Sequence, residues 1–255
     1  MKPTALVNVR FARSLIIAGL LWMPGRLVAG PPLLTDDTDT PGNGKLEINL
    51  ASALDKRGSD WELETPMLDI NYGWGERVQL KYEVPGICQD KTGRVRYGLG
   101  NSKVGVKWRF LDEKYHNFDM SIYPQYEFNN PGSSSDDLGL VDHGSDYLLP
   151  LQLARPIGPA WVYGEIGHVW REKRSDQWFY GLAVEYPREA RFKWMAELHG
   201  EADKRFREEE LLLNVGAKWE FHPNTALIFS AGRGLRGTPG EKVDLISYIG
   251  LQFTH

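Results

Sequence analysis

The chain has 255 residues, a formal net charge of −4 and 42% hydrophobic residues, which bounds it to one large β domain or two smaller ones. The acidic balance argues against a nucleic-acid partner, which calls for a basic face. After residue 30 no run of about 18 apolar residues occurs, which excludes a helical membrane protein.

The first segment has the marks of an export signal. Lys2, Arg10 and Arg13 precede a short apolar core, Ser14 to Met23, and Leu27-Val28-Ala29 offers a small-residue cleavage site. The expected division is a signal peptide over 1–29, a polar periplasmic leader over 30–43 and a barrel over 44–255. The leader carries Asp36, Asp37 and Asp39 without the glycine-centred loop that calcium sites use, so it reads as a solvated segment. Cys88 is the sole cysteine, placed in a predicted loop, and excludes an intramolecular disulfide.

From Lys45 onward a period-two pattern returns about twelve times, as expected of strands whose side chains alternate between two faces. The predicted strands are Lys45–Leu54, Trp61–Tyr72, Arg77–Val84, Lys103–Phe110, Phe118–Phe128 and Tyr147–Ala154, then Trp161–Trp170, Trp178–Tyr186, Phe192–Gly200, Leu211–Phe221, Thr225–Gly232 and Val243–Thr254. The clearest copy sets Val104, Val106, Trp108 and Phe110 opposite Lys103, Lys107 and Arg109. Two copies are weak: Tyr147–Ala154 contains Pro150, and in Trp161–Trp170 either face could be outward.

The connections alternate in length. Gly73–Glu76, Leu111–Asn117, Arg155–Ala160, Pro187–Arg191 and His222–Asn224 are short, whereas Pro85–Ser102, Asn129–Asp146, Glu201–Glu210 and Arg233–Lys242 are long and polar. Outer-membrane barrels segregate periplasmic turns from outer loops in this way, with an even strand number. Aromatic residues cluster near predicted strand ends like the girdles of such barrels. The last strand ends near Phe253, which resembles the signal read by the barrel-assembly machinery. The reading is an antiparallel transmembrane β-barrel of about twelve strands in the cell outer membrane, with outer-membrane lipid and a small-molecule solute as partners and no cofactor or metal.

Pro32-Leu33-Leu34-Thr35-Asp36-Asp37-Thr38-Asp39-Thr40-Pro41-Gly42, Tyr72-Gly73-Trp74-Gly75-Glu76-Arg77-Val78-Gln79-Leu80, and Gly98-Leu99-Gly100-Asn101 leading into Val104–Phe110 together resemble the bacterial family named for the meta-pathway of phenol degradation. The resemblance implies an outer-membrane barrel associated with uptake of aromatic or other small compounds. It implies no catalytic residue.

The residues predicted to line the lumen are Glu47, Asp69, Lys81, Glu83, Lys103, Lys107, Arg109, Asp119, Glu127, Glu185, Lys193, Glu197, Lys218 and Glu220, with Glu165 and Asp244. Charged rings of this kind select solutes in pores, and the same charges could instead fill a small barrel with ion pairs. The acidic excess leads to an expected mild preference for cations.

Two rival readings remain. A barrel lipid hydrolase would use His143 and Ser145, but the expected position of the residue orienting the imidazole is Ile157, beside Arg155 and Pro156. A secreted soluble β-sandwich would leave the segregation of loop lengths unexplained.

Overall fold

In the computed structural model, which describes residues 31–91, 93–206, 209–238 and 240–255, alternation along the chain becomes the wall of a closed barrel. The expected signal peptide lies outside the described residues. The strands are β1 (Leu46–Arg57), β2 (Asp60–Trp74), β3 (Val78–Lys91), β4 (Arg94–Leu99), β5 (Ser102–Leu111), β6 (Asp119–Ile122), β7 (Gln125–Phe128) and β8 (Asp146–Ile157). They continue as β9 (Ala160–Arg171), β10 (Gln177–Tyr186), β11 (Phe192–Asp203), β12 (Glu209–His222), β13 (Thr225–Arg236) and β14 (Leu245–Thr254), with one helical turn, α1 (Glu113–His116).

All pairings are antiparallel between neighbours, and β1 closes the ring on β14 with Leu50 opposite Leu251. Fourteen strands fill twelve positions, because two wall positions are interrupted. β3 pairs with β4 toward its outer end and with β5 toward its inner end. A side chain at Gly100, between those two strands, would begin 2.7 Å from Pro85 Cγ. β6 and β7 form the other broken position, separated by Tyr123 and Pro124, and both pair with β8. Proline lacks the N–H a ladder needs. Pro150 of β8 falls beside this break, where its missing donor disrupts little, and its carbonyl accepts from Tyr123 N at 3.1 Å.

The expected strands are present, Phe118–Phe128 as the two pieces β6 and β7, and several run further than expected, β3 most of all. The segment read as a long outer loop, Pro85–Ser102, continues as strand to Lys91 and returns as β4 through a turn at Gly93 (φ 75°). Cys88 therefore lies in a strand and carries no disulfide. The short turns gather at the end where β1 begins and β14 finishes. Here Asp112 caps α1 by accepting from Lys114 N at 3.1 Å.

The faces are inverted relative to a water-soluble protein. Trp108 is 53% exposed on the outside while Lys107 beside it is 2% exposed within. Leu50, Val106, Leu182, Trp194 and Ile249 are likewise exposed outside, and Asn49, Gln152 and Glu197 are buried inside. An apolar outer surface this continuous belongs against hydrocarbon, and the strands pair with one another all the way round the ring. Trp108–Phe110, Phe192–Trp194 and Trp219–Phe221 form outward aromatic pairs near the turn end, with ring centroids 5.0–5.7 Å apart. They make one girdle of the barrel.

Val106 lies midway along β5, opposite Leu80, and Trp108 lies in the girdle. Val106→Lys should cost about 2–4 kcal/mol of folding free energy and Trp108→Lys about 0–1 kcal/mol, from the depth dependence of charge on a lipid face. Reversible folding into lipid vesicles measures both, and equal costs would contradict this placement of the membrane.

Candidate functional site

The lumen is occupied by the chain's own leader. Residues 31–42 run down the inside of the barrel, and Leu33, Thr35, Asp36 and Thr38 are buried there. The expectation of a solvated leader is corrected. The physical reason is that its bent, non-strand backbone leaves N–H groups unpaired, which a buried segment must pair, and inward carboxylates supply the acceptors. Glu197 of β11 accepts from Leu34 N at 2.8 Å and Thr35 N at 2.7 Å, one with each carboxylate oxygen. Glu165 of β9 accepts from Asp36 N at 3.1 Å. Two strands along the same wall from Glu197, Ser230 Oγ of β13 donates to Pro32 O at 2.6 Å.

The acidic stretch meets the basic wall of β5. Lys107 Nζ lies 3.0 Å from Asp36 Oδ2 and donates to Asp37 O at 2.8 Å, with its ammonium 4.9 Å from the Tyr123 ring centroid. Arg109 Nη1 is 3.4 Å from Asp39 Oδ1, and Thr40 Oγ1 donates to Glu76 O at the inner rim. Two glycines make the path passable. A side chain at Gly181 would overlap Thr35, its Cβ falling 2.0 Å from Thr35 Oγ1. A side chain at Gly73 would strike the Gly42 carbonyl at 1.8 Å.

The predicted lumen residues separate into groups. Asp69, Lys81, Glu83, Lys103 and Glu127 form a continuous charge ladder: Lys81 Nζ sits 2.6 Å from Glu83 and 3.3 Å from Asp69, and Lys103 lies 3.7 Å from Glu83 and 3.5 Å from Glu127. Asn49 Nδ2 donates a hydrogen bond to Asp69 Oδ2 at 3.2 Å. These side chains face inward as expected, but they are packed against each other as part of the wall. Lys107, Arg109, Glu165 and Glu197 hold the leader. Asp119 accepts from Glu113 N at the inner rim, and Asp244 accepts from Gly58 N at 2.7 Å in the outer turn after β1. Glu220 faces inward from β12 near the turn end.

Glu47, Glu185, Lys193 and Lys218 border open space, an inner vestibule of about 800 Å³ that also reaches Lys107, Asp37 and Asp39. Glu185 of β10 and Lys193 of the adjacent β11 pair along its wall at 2.9 Å. At the opposite end the loop between β7 and β8 folds inward. Leu140 is buried, its carbonyl accepts from the inward Gln89 at 2.9 Å, and Arg96 Nη1 holds Leu138 O at 2.6 Å.

His143 and Ser145 lie on this outer loop and are engaged separately. His143 Nδ1 is 3.2 Å from Asp136 Oδ2, and Ser145 Oγ is 2.9 Å from Tyr126 OH. The structure thus gives the imidazole a carboxylate seven residues upstream, which the sequence reading did not identify. Ser145 has its short contact with a phenol instead of an imidazole base.

These features define the class: a closed twelve-stranded barrel of outer-membrane type with a segment of its own chain seated in the lumen. No protein-family model and no curated protein matches the sequence. Among solved structures the chain is similar to an outer membrane channel from Pseudomonas putida F1, with a TM-score of 0.71 at 13% identity over 86% of this chain and 98% of that one. It is also similar to the NanC porin (TM-score 0.59, 11% identity) and the KdgM porin (TM-score 0.58, 12% identity), each over 81% of this chain and 98% of the other. At these identities the likeness is one of fold.

Burial, then the adjacent Asp39, push the Asp37 carboxyl up to about 7 against the pull of Lys107, with Asp36 adding to the rise. Because this lies above the value of a free aspartate, docking is stabilised while Asp37 is protonated. That contribution is lost as pH rises through about 7. Amide hydrogen exchange at Leu34, Thr35 and Asp36, corrected for intrinsic rates, should show protection that falls between about pH 4 and 7 and levels off above that. Asp37→Asn should flatten the profile, and an unchanged pH dependence in that variant would contradict the assignment.

Proposed function

We propose that this chain is an outer-membrane channel or transporter for small solutes, held closed in this conformation by its own leader. The observation that carries the proposal is the position of residues 31–42, between an open inner vestibule and an outer mouth partly covered by the β7–β8 loop. A barrel that served only as an anchor would have no need to hold a backbone segment in its lumen on two buried carboxylates. Resemblance to the phenol meta-pathway family extends the proposal to aromatic or other small apolar compounds. The outward Leu251 and Phe253 at the end of β14 support engagement by the barrel-assembly machinery. The engagement of Ser145 Oγ with Tyr126 gives no support to a hydrolase.

In planar bilayers the intact chain should conduct weakly. A variant lacking residues 31–40 should conduct several times more, and Lys107→Met should open intermittently because it removes the cation facing Asp36 and Asp37. Equal conductance with and without the leader would overturn the proposal.

In the intact chain Lys107 offsets Asp36, while Asp39, and above about pH 7 Asp37, add acidic charge to the vestibule beside Glu47. Weak cation selectivity is therefore expected from reversal potentials under a salt gradient. It should fade as salt rises, since exposed charges are screened over about 10 Å at 0.1 M. Clear anion selectivity would contradict the charge reading.

A further inference from the structure

Between the leader and the wall of β1, β12, β13 and β14 lies a second cavity of about 60 Å³, bordered by Leu33, Leu34, Ala53, Leu212, Val243 and Ile246. One water needs roughly 10–15 Å³ on such a measure, so the space admits a compact molecule of a few heavy atoms and no sugar chain. Its outer end is roofed by Arg57, whose Nη1 donates to Glu210 Oε2 and to Glu241 O, each at 2.6 Å, while Nη2 donates to Glu210 Oε1 at 3.1 Å. The roof's hydrogen-bonding groups are thereby engaged with each other, which leaves the cavity wall largely apolar.

Two buried polar atoms of bordering residues lack a hydrogen-bond partner among the described residues: Tyr248 OH, which can itself donate, and Asn214 Oδ1, which can only accept. Asn214 borders the cavity and is 1% exposed. Its Nδ2 donates to Glu197 Oε1 at 2.8 Å, which fixes the amide orientation. Its Oδ1 has no hydrogen-bond partner among the described residues. A buried acceptor without a donor is costly, and a buried amide fixed on one side only is a place where a ligand donor gains most. An apolar chamber with a few placed polar groups is the usual form of a small-molecule site.

We propose that this cavity binds a small, largely apolar molecule carrying a single hydroxyl, whose proton is donated to Asn214 Oδ1. The proposal rests on the small-solute reading above and deepens it, by making hydroxylation the feature that is recognised. It also couples solute to leader, because the cavity's inner wall is the leader itself and Glu197 holds both Asn214 and the Leu34 and Thr35 amides.

The test uses the mature chain in lipid nanodiscs, with methyl-labelled Leu212 and Ile246 as reporters. The probes are cyclopentanol and methylcyclopentane, which share size and differ in the hydroxyl. Cyclopentanol should shift both reporters saturably and bind more tightly than the hydrocarbon. Asn214→Leu should weaken cyclopentanol by about threefold to tenfold, the loss of one net hydrogen bond, and leave methylcyclopentane unchanged. Ala53→Leu, which fills the cavity with Asn214 intact, should abolish binding of both. Equal affinity for the two probes, no saturable shift, or full binding to Ala53→Leu would each overturn the proposal. Because binding is read in the closed protein, a conductance result that refuted the channel would not decide this test.

Discussion

The structure turns on the need to pair the backbone N–H groups of a lumenal segment that has no neighbouring strand. Residues 31–42 follow turns and bends without forming a strand, and the amides of Leu34, Thr35 and Asp36, set among wall side chains, take side-chain acceptors. Glu197 accepts two with its two oxygens and Glu165 a third. Hydrogen bonds to charged groups contribute about 1.5–3 kcal/mol each, and a buried donor left without its acceptor costs about 1–3 kcal/mol. The inward carboxylates, which in an open pore would meet water, are thereby committed to the chain's own backbone.

The same arrangement explains why the lumen tolerates so much charge. Lys81, Asp69, Glu83 and Lys103 share partners along one side of the barrel, so each charge has an opposite one within 4 Å. Lys107 extends the series to the leader. One wall therefore presents a charged ladder. The other side, at β8 to β11, presents Ala154, Trp161, Tyr163, Ala183 and Met195 clustered around Leu33. The lumen is amphipathic across its width, matching a leader that carries leucines at its start and aspartates further along.

That asymmetry accounts for what the sequence revealed and what it hid. Alternation was plain in β5, where Lys103, Lys107 and Arg109 face charged partners and Val104, Val106 and Trp108 face lipid. It blurred in Tyr147–Ala154 and Trp161–Trp170, because there the inward face is apolar too: Leu148, Ala154, Trp161, Tyr163 and Val169 are all buried inside. β4 was read as loop because the segment is short, polar and broken by Gly100. Its strand character comes from pairing with β3, with Tyr97 opposite Cys88. The leader was the main element missed. Three aspartates read as solvated, and their counter-charges lie about 70 residues away on β5, out of reach of any local pattern. Gly181 and Gly73 carried the only local trace, as inward or rim glycines at points where the leader leaves no space for a Cβ.

The most direct test of a lumenal leader is a covalent one. In a Cys88→Ser background, Thr35→Cys places a single thiol at a lumenal position that is 1% exposed. In the folded barrel this thiol should resist an impermeant maleimide, and it should react fully once the protein is denatured. Free alkylation in the folded barrel would contradict the account, because it would mean that the leader does not lie in the lumen.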